Sequence, residues 1–562
     1  MKTRKQALEQ IANKEFDVCV IGGGATGAGC SLDAQLRGLK TVVIEAGDFA
    51  SGSSTASTKM VHGGVRYLQE AVNDLDINQY HLVEHALRER LTMLRNAPHL
   101  TRTVEFLVPC FSNFEKVYYG LGMKMYDWIA GKSSLLPSRL LTREEALFRM
   151  PNLQPENLVG AVAYADGQFD DARYDLALME TFSRAGGEAL NYARVTAFTK
   201  NNSGKLASAT VVDQAGSGSF EIRARAFVNA TGPFSDVVRQ LASSSVLPRM
   251  HPSKGVHIML PLDGFPDKDA LLVPKTEDGR VIFAIPWNGR LLVGTTDTGY
   301  TPGEEMIVKS EEVEYLLRQL NPYLNSPLTA GHVVSGYAGV RPLVAAPGVV
   351  DTKKLIRDDE VEFDQSSGLI SILGGKWTTH RLMGEETIDK VQDYLGGSRS
   401  PSSTSEHPLA GALDYKQDYW QTLESDFAIP APTAQHLAHK YGTLAPVVLE
   451  LARSDRSLAL PLVDGALPIR AQVVYALRQE MVATIEDVLA RRIGLQLFDW
   501  RLAIQAAPAV AALLGHELGW SQDEEQRNLE QYAAKVNHMI SSVGQQPQPV
   551  PARIPEATLE RS

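Results

Sequence analysis

Cysteine is scarce: Cys19, Cys30 and Cys110 are the only three in a chain of 562 residues. None belongs to a C-x-x-C pair, so neither a disulfide framework nor a thiolate metal site is expected, and the odd count fits a reducing compartment. The histidines form no H-E-x-x-H or Cys/His cluster, so no metal is expected. No run of about eighteen apolar residues occurs, which predicts no transmembrane helix. Roughly the first fifteen residues are polar, without an apolar core or a small-residue cleavage site, and predict no export signal. Positive charge is the minority sign, 55 Lys+Arg against 66 Asp+Glu, for a net −11. That balance argues against non-specific nucleic-acid binding, and an anionic ligand would have to be drawn by a local basic cluster.

What is present is ordinary for a folded chain: 44% hydrophobic and 22% charged residues. The length predicts two or three domains. Phe16 to Gly29 reads FDVCVIGGGATGAG. The short apolar run is the signature of a buried parallel strand, and it leads into Gly22-x-Gly24-x-x-Gly27. A helix-like stretch follows, then a second apolar strand, KTVVIEAG, with Glu45 near its end. Gly22 permits the tight turn, Gly24 lets a pyrophosphate approach the backbone, and Gly27 lets helix pack on strand. Ala25 and Thr26 open the helix, whose free amides and dipole favour an anion. Glu45 can accept from ribose hydroxyls, and its charge disfavours a 2′-phosphate and so NADP. The motif leaves FAD or NAD open. The next stretch, FASGSSTASTKMVHGGVRYL, is no regular element and looks like a cover over a long ligand.

With VIGGGATGAG, STASTKMVHGGVRYL, VNATGP, IPWNGRLLVGTTDT, YAGVRPL and LGGKWTTHR in order, the chain resembles the FAD-dependent, respiratory glycerol-3-phosphate dehydrogenases from about Phe16 to Leu395, and again at EMVATIEDVLARR. The resemblance implies an α/β (α+β) fold: a Rossmann-type FAD-binding domain of the glucose/amine-oxidase group, an inserted mixed-sheet substrate domain, and a C-terminal all-helical domain. The expected segments are 15–95, 161–245 and 336–395 for the FAD domain, and 96–160 and 246–335 for the substrate domain. A linker at 396–412, a helical domain at 413–540 and a disordered tail at 541–562 complete the chain. The Pro/Ser-rich linker and Pro/Gln-rich tail are read from composition, and the helices from apolar spacing near 3.6. Thr484 and Asp487 fit a capping box.

The same resemblance implies FAD as cofactor, glycerol 3-phosphate as substrate, dihydroxyacetone phosphate as product and a membrane quinone as acceptor. It also implies peripheral attachment on the inner, cytoplasmic membrane face, and a homodimer is left open. Residues expected at the cofactor are Gly22, Gly24, Ala25, Thr26, Gly27, Glu45, Ser53, Ser57, Lys59, His62, Gly63, Ala230, Gly232, Gly375, Lys376 and Thr378. Lys376 and the helix after it would stabilise negative charge at the N1/C2=O side of the flavin. A phosphate clamp calls for arginine, whose planar fork matches phosphate oxygens in pairs. Arg66 with Tyr67 and Arg357 are expected there, Arg341 near a developing alkoxide, and Lys254 near the substrate. His257 is the first choice for the base and His62 the second. The competing readings are an oxidase that passes electrons to oxygen, an amine or amino-acid oxidase of the same fold group, and a flavin-binding protein without turnover.

Overall fold

The structure is a computed structural model that describes residues 1–11, 14–64, 77–216, 218–345 and 359–554. Its first sheet runs, in order, Glu360–Phe363, Leu369–Leu373, Ser219–Asn229, Glu15–Ile21, Thr41–Ile44 and Glu188–Leu190. From Leu369–Leu373 onward these strands are parallel. Glu15–Ile21 is central because VCVI is apolar on both faces, as a strand covered by helices on both sides must be. The helices Ala25–Leu36 and His380–Leu395 pack against each other at two glycines. A Cβ on Gly29 would lie 2.7 Å from the His380 carbonyl oxygen, and one on Gly384 2.7 Å from the Gly29 carbonyl carbon.

The second sheet is mixed. It runs Thr298–Gly299, Ser253–Pro261, Arg290–Gly294, Ile282–Trp287, Asp269–Val273, Thr101–Cys110, Gly160–Phe169 and Met60–Val61, and Ser335–Arg341 also pairs with Ser253–Pro261. Three of its strands fall outside the expected substrate segments. Met60–Val61, Gly160–Phe169 and Ser335–Arg341 all belong to this sheet, although the sequence reading gave most of each to the FAD domain. GAVAYADGQF is buried at every position, and such a strand carries no alternation to say which sheet it joins.

Period-2 alternation divides Ser253–Pro261. Val256, Ile258 and Leu260 enter the core shared with the C-terminal helices, while Ser253, Gly255 and His257 face the other way. The C-terminal part is helical from Tyr419 to Ser542, as expected. The reciprocal cap at Thr484 and Asp487 is formed: the Asp487 amide donates to Thr484 Oγ1 at 3.1 Å, and Asp487 Oδ2 accepts from the Thr484 amide at 3.0 Å. The linker is a docked strap rather than a loose one, since Leu409 is buried and its amide donates to the Asn96 carbonyl at 2.8 Å. Of the tail expected to be disordered, residues 555–562 lie outside the described residues, and the described start of it makes side-chain contacts. Gln545 Nε2 donates to the carbonyls of Ala330 and Val333, and the Gln548 amide donates to Asn537. Glutamine-rich composition signals weak burial, but a side-chain amide can still dock on backbone carbonyls, each of which has two lone pairs.

Candidate functional site

The end of strand Glu15–Ile21 forms a narrow cradle. The Gly22 amide donates to the Ile44 carbonyl and the Ala230 amide to the Ile21 carbonyl, each at 2.8 Å. A Cβ on Gly22 would lie 2.5 Å from the Ala230 carbonyl oxygen, and one on Gly27 only 1.8 Å from that of Gly22. No side chain fits in either place, so strand and helix ends converge as a dinucleotide requires. Ala25 and Thr26 begin the helix, and an acceptor already sits at its N-terminus, where Ser54 Oγ takes the Ala25 N–H at 3.0 Å. Glu45 closes the cradle. Its Oε2 accepts from the Gly23 amide and its Oε1 from the Gly47 amide, both at 2.7 Å. Burial pushes this carboxyl up, against those two bonds. Each oxygen keeps a lone pair for a further donor, such as a ribose hydroxyl. Ala230 and Gly232, where a 3-10 turn begins, line the neighbouring strand end. The glycine-only path, the helix N-terminus and the carboxylate together fit a diphosphate-linked dinucleotide such as FAD.

The loop from Ser53 to Gly64 links the two sheets. Ser53 Oγ donates to the Val340 carbonyl at 2.6 Å, and Trp377 Nε1 donates to the Ser54 carbonyl at 2.8 Å. Ser57 and Lys59, both expected at the cofactor, turn their side chains elsewhere. Ser57 Oγ donates to Asp171 Oδ2 at 2.7 Å, and the buried Lys59 ammonium bonds Asp171 and the Thr55 carbonyl. A buried ammonium needs such a partner, which makes both side chains braces of the loop. His62 and Gly63 are held in place. The His62 amide donates to Thr378 Oγ1 at 3.3 Å, and the Gly63 amide donates to the Tyr126 hydroxyl at 2.8 Å. Burial pushes the His62 imidazole down, opposed by Asp166 and reinforced by the charges of Lys376 and Arg90. Lys376 follows Gly374 and Gly375, whose φ angles of 78° and 93° an L side chain resists. The 3-10 turn Trp377–Thr379 and the helix His380–Leu395 come next, so a helix N-terminus opens beside His62, Lys376 and Thr378.

His257 and Arg341 share the face of the second sheet that meets this loop. His257 Nε2 lies 2.9 Å from Thr58 Oγ1, and its ring stacks on Tyr337 at 5.0 Å between centroids. The Tyr337 hydroxyl donates to the Ser57 carbonyl at 2.7 Å. Burial pushes the His257 imidazole well down, and the charges of Arg341 and Lys59 add to it, so the ring is neutral. Arg341 lies opposite Ser253 in the register. Its guanidinium donates to Asp297 Oδ1 at 3.2 Å, Thr295 Oγ1 at 3.1 Å and the Thr296 carbonyl at 2.9 Å. Gly255 makes that position available, since a Cβ there would lie 2.6 Å from Arg341 Nη2.

Lys254 is not part of this face. It points to the opposite side of its strand from His257, is buried, and pairs with Glu312 Oε2 at 2.9 Å. Three residues along a strand reverse the direction of the side chain. Arg66, Tyr67 and Arg357 lie outside the described residues. Ser54 and Thr58 belong to the hydroxyl run Ser53 to Thr58, expected against the FAD phosphates and ring, whereas sequence reasoning missed Asp171 and Tyr337 as structural members of the site. Tyr337 stands inside a motif already singled out, and Asp171 belongs to none.

Residues 17–389 match the family of FAD dependent oxidoreductases, and residues 402–525 match the C-terminal domain of alpha-glycerophosphate oxidase. The chain is 41% identical over 540 residues to a probable mitochondrial glycerol-3-phosphate dehydrogenase of Caenorhabditis elegans. It is 40% identical over 540 residues to the mitochondrial glycerol-3-phosphate dehydrogenase of Mus musculus. Each alignment covers 94% of this chain and 74% of the relative. The crystal structure of the glycerol-3-phosphate dehydrogenase from Bacillus halodurans, complexed with FAD, matches with a TM-score of 0.78 and 31% identity, covering 98% of this chain and 99% of that one. Both parts of the chain match in order, and the glycine cradle they contain is built for a dinucleotide: the chain belongs to the family of FAD-dependent glycerol-3-phosphate dehydrogenases.

Proposed function

We propose that the chain oxidises sn-glycerol 3-phosphate to dihydroxyacetone phosphate and passes the two electrons to a membrane quinone. The observation that carries this reading is the placement of a neutral His257 and the Arg341 guanidinium on one face of the second sheet, against the loop that leaves the dinucleotide cradle. The substrate alcohol must lose a proton from oxygen and a hydride from C2. When bound, FAD supplies the hydride acceptor at N5 of its ring. His257 Nε2 takes the hydroxyl proton once Thr58 turns its own hydroxyl aside, and the burial that keeps the ring neutral leaves it able to do so. Arg341 balances negative charge on the oxygen as the proton leaves. Arg66 with Tyr67 and Arg357 grip the phosphate, an assignment supported by the family pattern around them. Lys376 and the helix end beside it supply positive potential at the opposite edge of the site.

The quinone and membrane parts of the reading are supported by the helix Asn113–Ala130. Its inner face packs Met123, Tyr126 and Ile129 into the core, while Phe114, Val117, Tyr118, Leu121, Met125 and Trp128 form an exposed stripe. Phe114 is 78% and Trp128 74% exposed, and Phe148, on the short helix Arg143–Arg149 that also packs on the second sheet, is 88% exposed. An apolar stripe of this size on a helix of mixed polarity fits insertion into the headgroup boundary. Among the described residues no helix is long and apolar enough to cross a membrane, so the attachment proposed is peripheral. The cytoplasmic face is proposed because all three cysteines are buried and unpaired with one another, as suits a reducing side. Oxygen uptake by the purified protein, with and without a quinone analogue, tests the acceptor. Substrate-dependent reduction of the analogue with little peroxide is expected, and rapid peroxide formation that the analogue does not suppress would replace the quinone by oxygen.

A further inference from the structure

A buried ion-pair cluster joins the cofactor cradle to the C-terminal helical region, and the proposed reaction does not use it. Its centre is Asp48, three residues beyond Glu45 and 2% exposed. Asp48 accepts from Arg491 Nε at 2.6 Å, from both terminal nitrogens of Arg492, and from Asn191 Nδ2 at 3.1 Å. Arg491 also pairs with Asp487 at 2.5 Å, and the Tyr192 hydroxyl donates to the same Asp487 oxygen at 2.6 Å. Glu480 lies 3.9 Å from Arg492 and pairs with Arg173 at 2.7 Å, so three carboxylates and three guanidiniums balance in this buried site.

The cluster is continuous with the cradle. The Tyr192 amide donates to the Gly47 carbonyl at 2.7 Å, the Ala193 amide to the Glu45 carbonyl at 2.8 Å, and the Gly47 amide to Glu45 Oε1 at 2.7 Å. Asn191 Nδ2 bridges from Asp48 to the Met481 carbonyl at 2.8 Å. Tyr192 and Met481 have φ of 51° and 55°, a conformation that L residues keep only where the surroundings hold them. The loop from Glu45 to Asp48 is thus held at its start by the strand Glu188–Leu190 and the residues just after it, and at its end by two arginines of the C-terminal part.

We propose that Arg491 and Arg492 are positioning residues for FAD: acting through Asp48, they fix the loop that aims Glu45, so the C-terminal helical region sets cofactor affinity without touching the cofactor. The physical reason is that Asp48 cannot stay charged in its buried place without them. Removing one guanidinium leaves that carboxylate underpaired, and the loop must open to water. A shift of about an ångström in Glu45 is enough to spoil hydrogen bonds to a ribose. The inference rests on the reading of Glu45 as the ribose acceptor.

The test measures the dissociation constant of FAD by flavin fluorescence on full-length protein from which FAD has been reversibly removed. Arg491→Met and Asp48→Asn should each weaken FAD binding about tenfold or more, the double variant should be no worse than the weaker single one, and Arg491→Lys should recover part of the loss. KM for glycerol 3-phosphate in FAD-saturated enzyme should not move. Arg290→Met is the control, because it breaks the Arg290–Asp499 contact, by which the same helical region meets the second sheet with no bond to Asp48. An unchanged FAD affinity in Arg491→Met, or an equal loss in Arg290→Met, overturns the proposal. If Arg491→Met does not fold, Tyr192→Phe decides: it removes one hydroxyl and no charge, a several-fold weaker affinity is expected, and none overturns the proposal. Glu45→Ala separates the two layers. No loss of FAD there removes the ribose reading and the inference with it, whereas a loss there with none in Arg491→Met removes the inference alone.

Discussion

His257 Nε2 lies 2.9 Å from the hydroxyl of Thr58, and among the described residues the other ring nitrogen, buried, has no hydrogen-bond partner. A histidine held only at the nitrogen that faces the loop is one whose single polar contact can be exchanged for a substrate hydroxyl. Replacing His257 with Gln should therefore slow flavin reduction by glycerol 3-phosphate by about a hundredfold or more while FAD stays bound. Anaerobic stopped-flow absorbance checks this, and a near-normal rate would assign the proton to another group, His62 first.

The same ring predicts a pH effect on stability. Burial, then Arg341 and Lys59, push its pKa below the ordinary value near 6.5, so the unfolded chain binds a proton the folded chain refuses. The stability this histidine allows is fully present above about pH 6.5 and is lost as pH falls below it, by up to about 1.4 kcal/mol per pH unit. Urea unfolding of wild type and His257→Gln at pH 7 and pH 5 isolates the term. The wild type should lose more than the variant on acidification, and parallel losses would mean the ring is not held neutral.

Gly255→Ala should displace Arg341 together with its hydrogen-bond partner Thr295. The new methyl would stand 2.6 Å from Arg341 Nη2 and 2.8 Å from Thr295 Oγ1, so the guanidinium must leave its place. A fall in kcat/KM of about tenfold or more with full FAD content is expected in steady-state assays. Unaltered kinetics would show that Arg341 does not act where it stands.

On the proposed role of Arg66 in gripping the substrate phosphate, Arg66→Ala should raise the apparent KM strongly and leave FAD bound. Measuring flavin content beside KM decides the division of labour in the Ser54–Leu68 stretch. Loss of flavin with normal substrate affinity would reverse it.

Phe114→Ser combined with Trp128→Ser should abolish co-sedimentation with phospholipid vesicles while activity with a water-soluble electron acceptor persists. Both side chains are exposed and away from the core, so little stability should be lost. Undiminished vesicle binding would move the membrane contact to another surface.

The cradle was legible in the sequence because sterics leave no choice at Gly22 and Gly27, where only hydrogen fits between backbone atoms. His257 and Lys254 show what was legible but overlooked. Three residues apart on a strand, they must point to opposite faces, so choosing one for the site excluded the other. Asp171 and Asp48 were not legible, since each gains its role from residues more than a hundred positions away in sequence. Gly160–Phe169 was misplaced between sheets because a strand buried on both sides has no polar face to orient it. The tail was read from composition, and composition does not report that Gln545 finds the carbonyls of Ala330 and Val333.

The most direct test of the account is an anaerobic titration of the purified yellow protein with sn-glycerol 3-phosphate, followed at the flavin absorbance. Complete bleaching by the substrate, with dihydroxyacetone phosphate formed in equal amount to the flavin reduced, is the predicted result. A flavin that stays oxidised with this substrate, or is bleached instead by a neutral amine or amino acid, would contradict it.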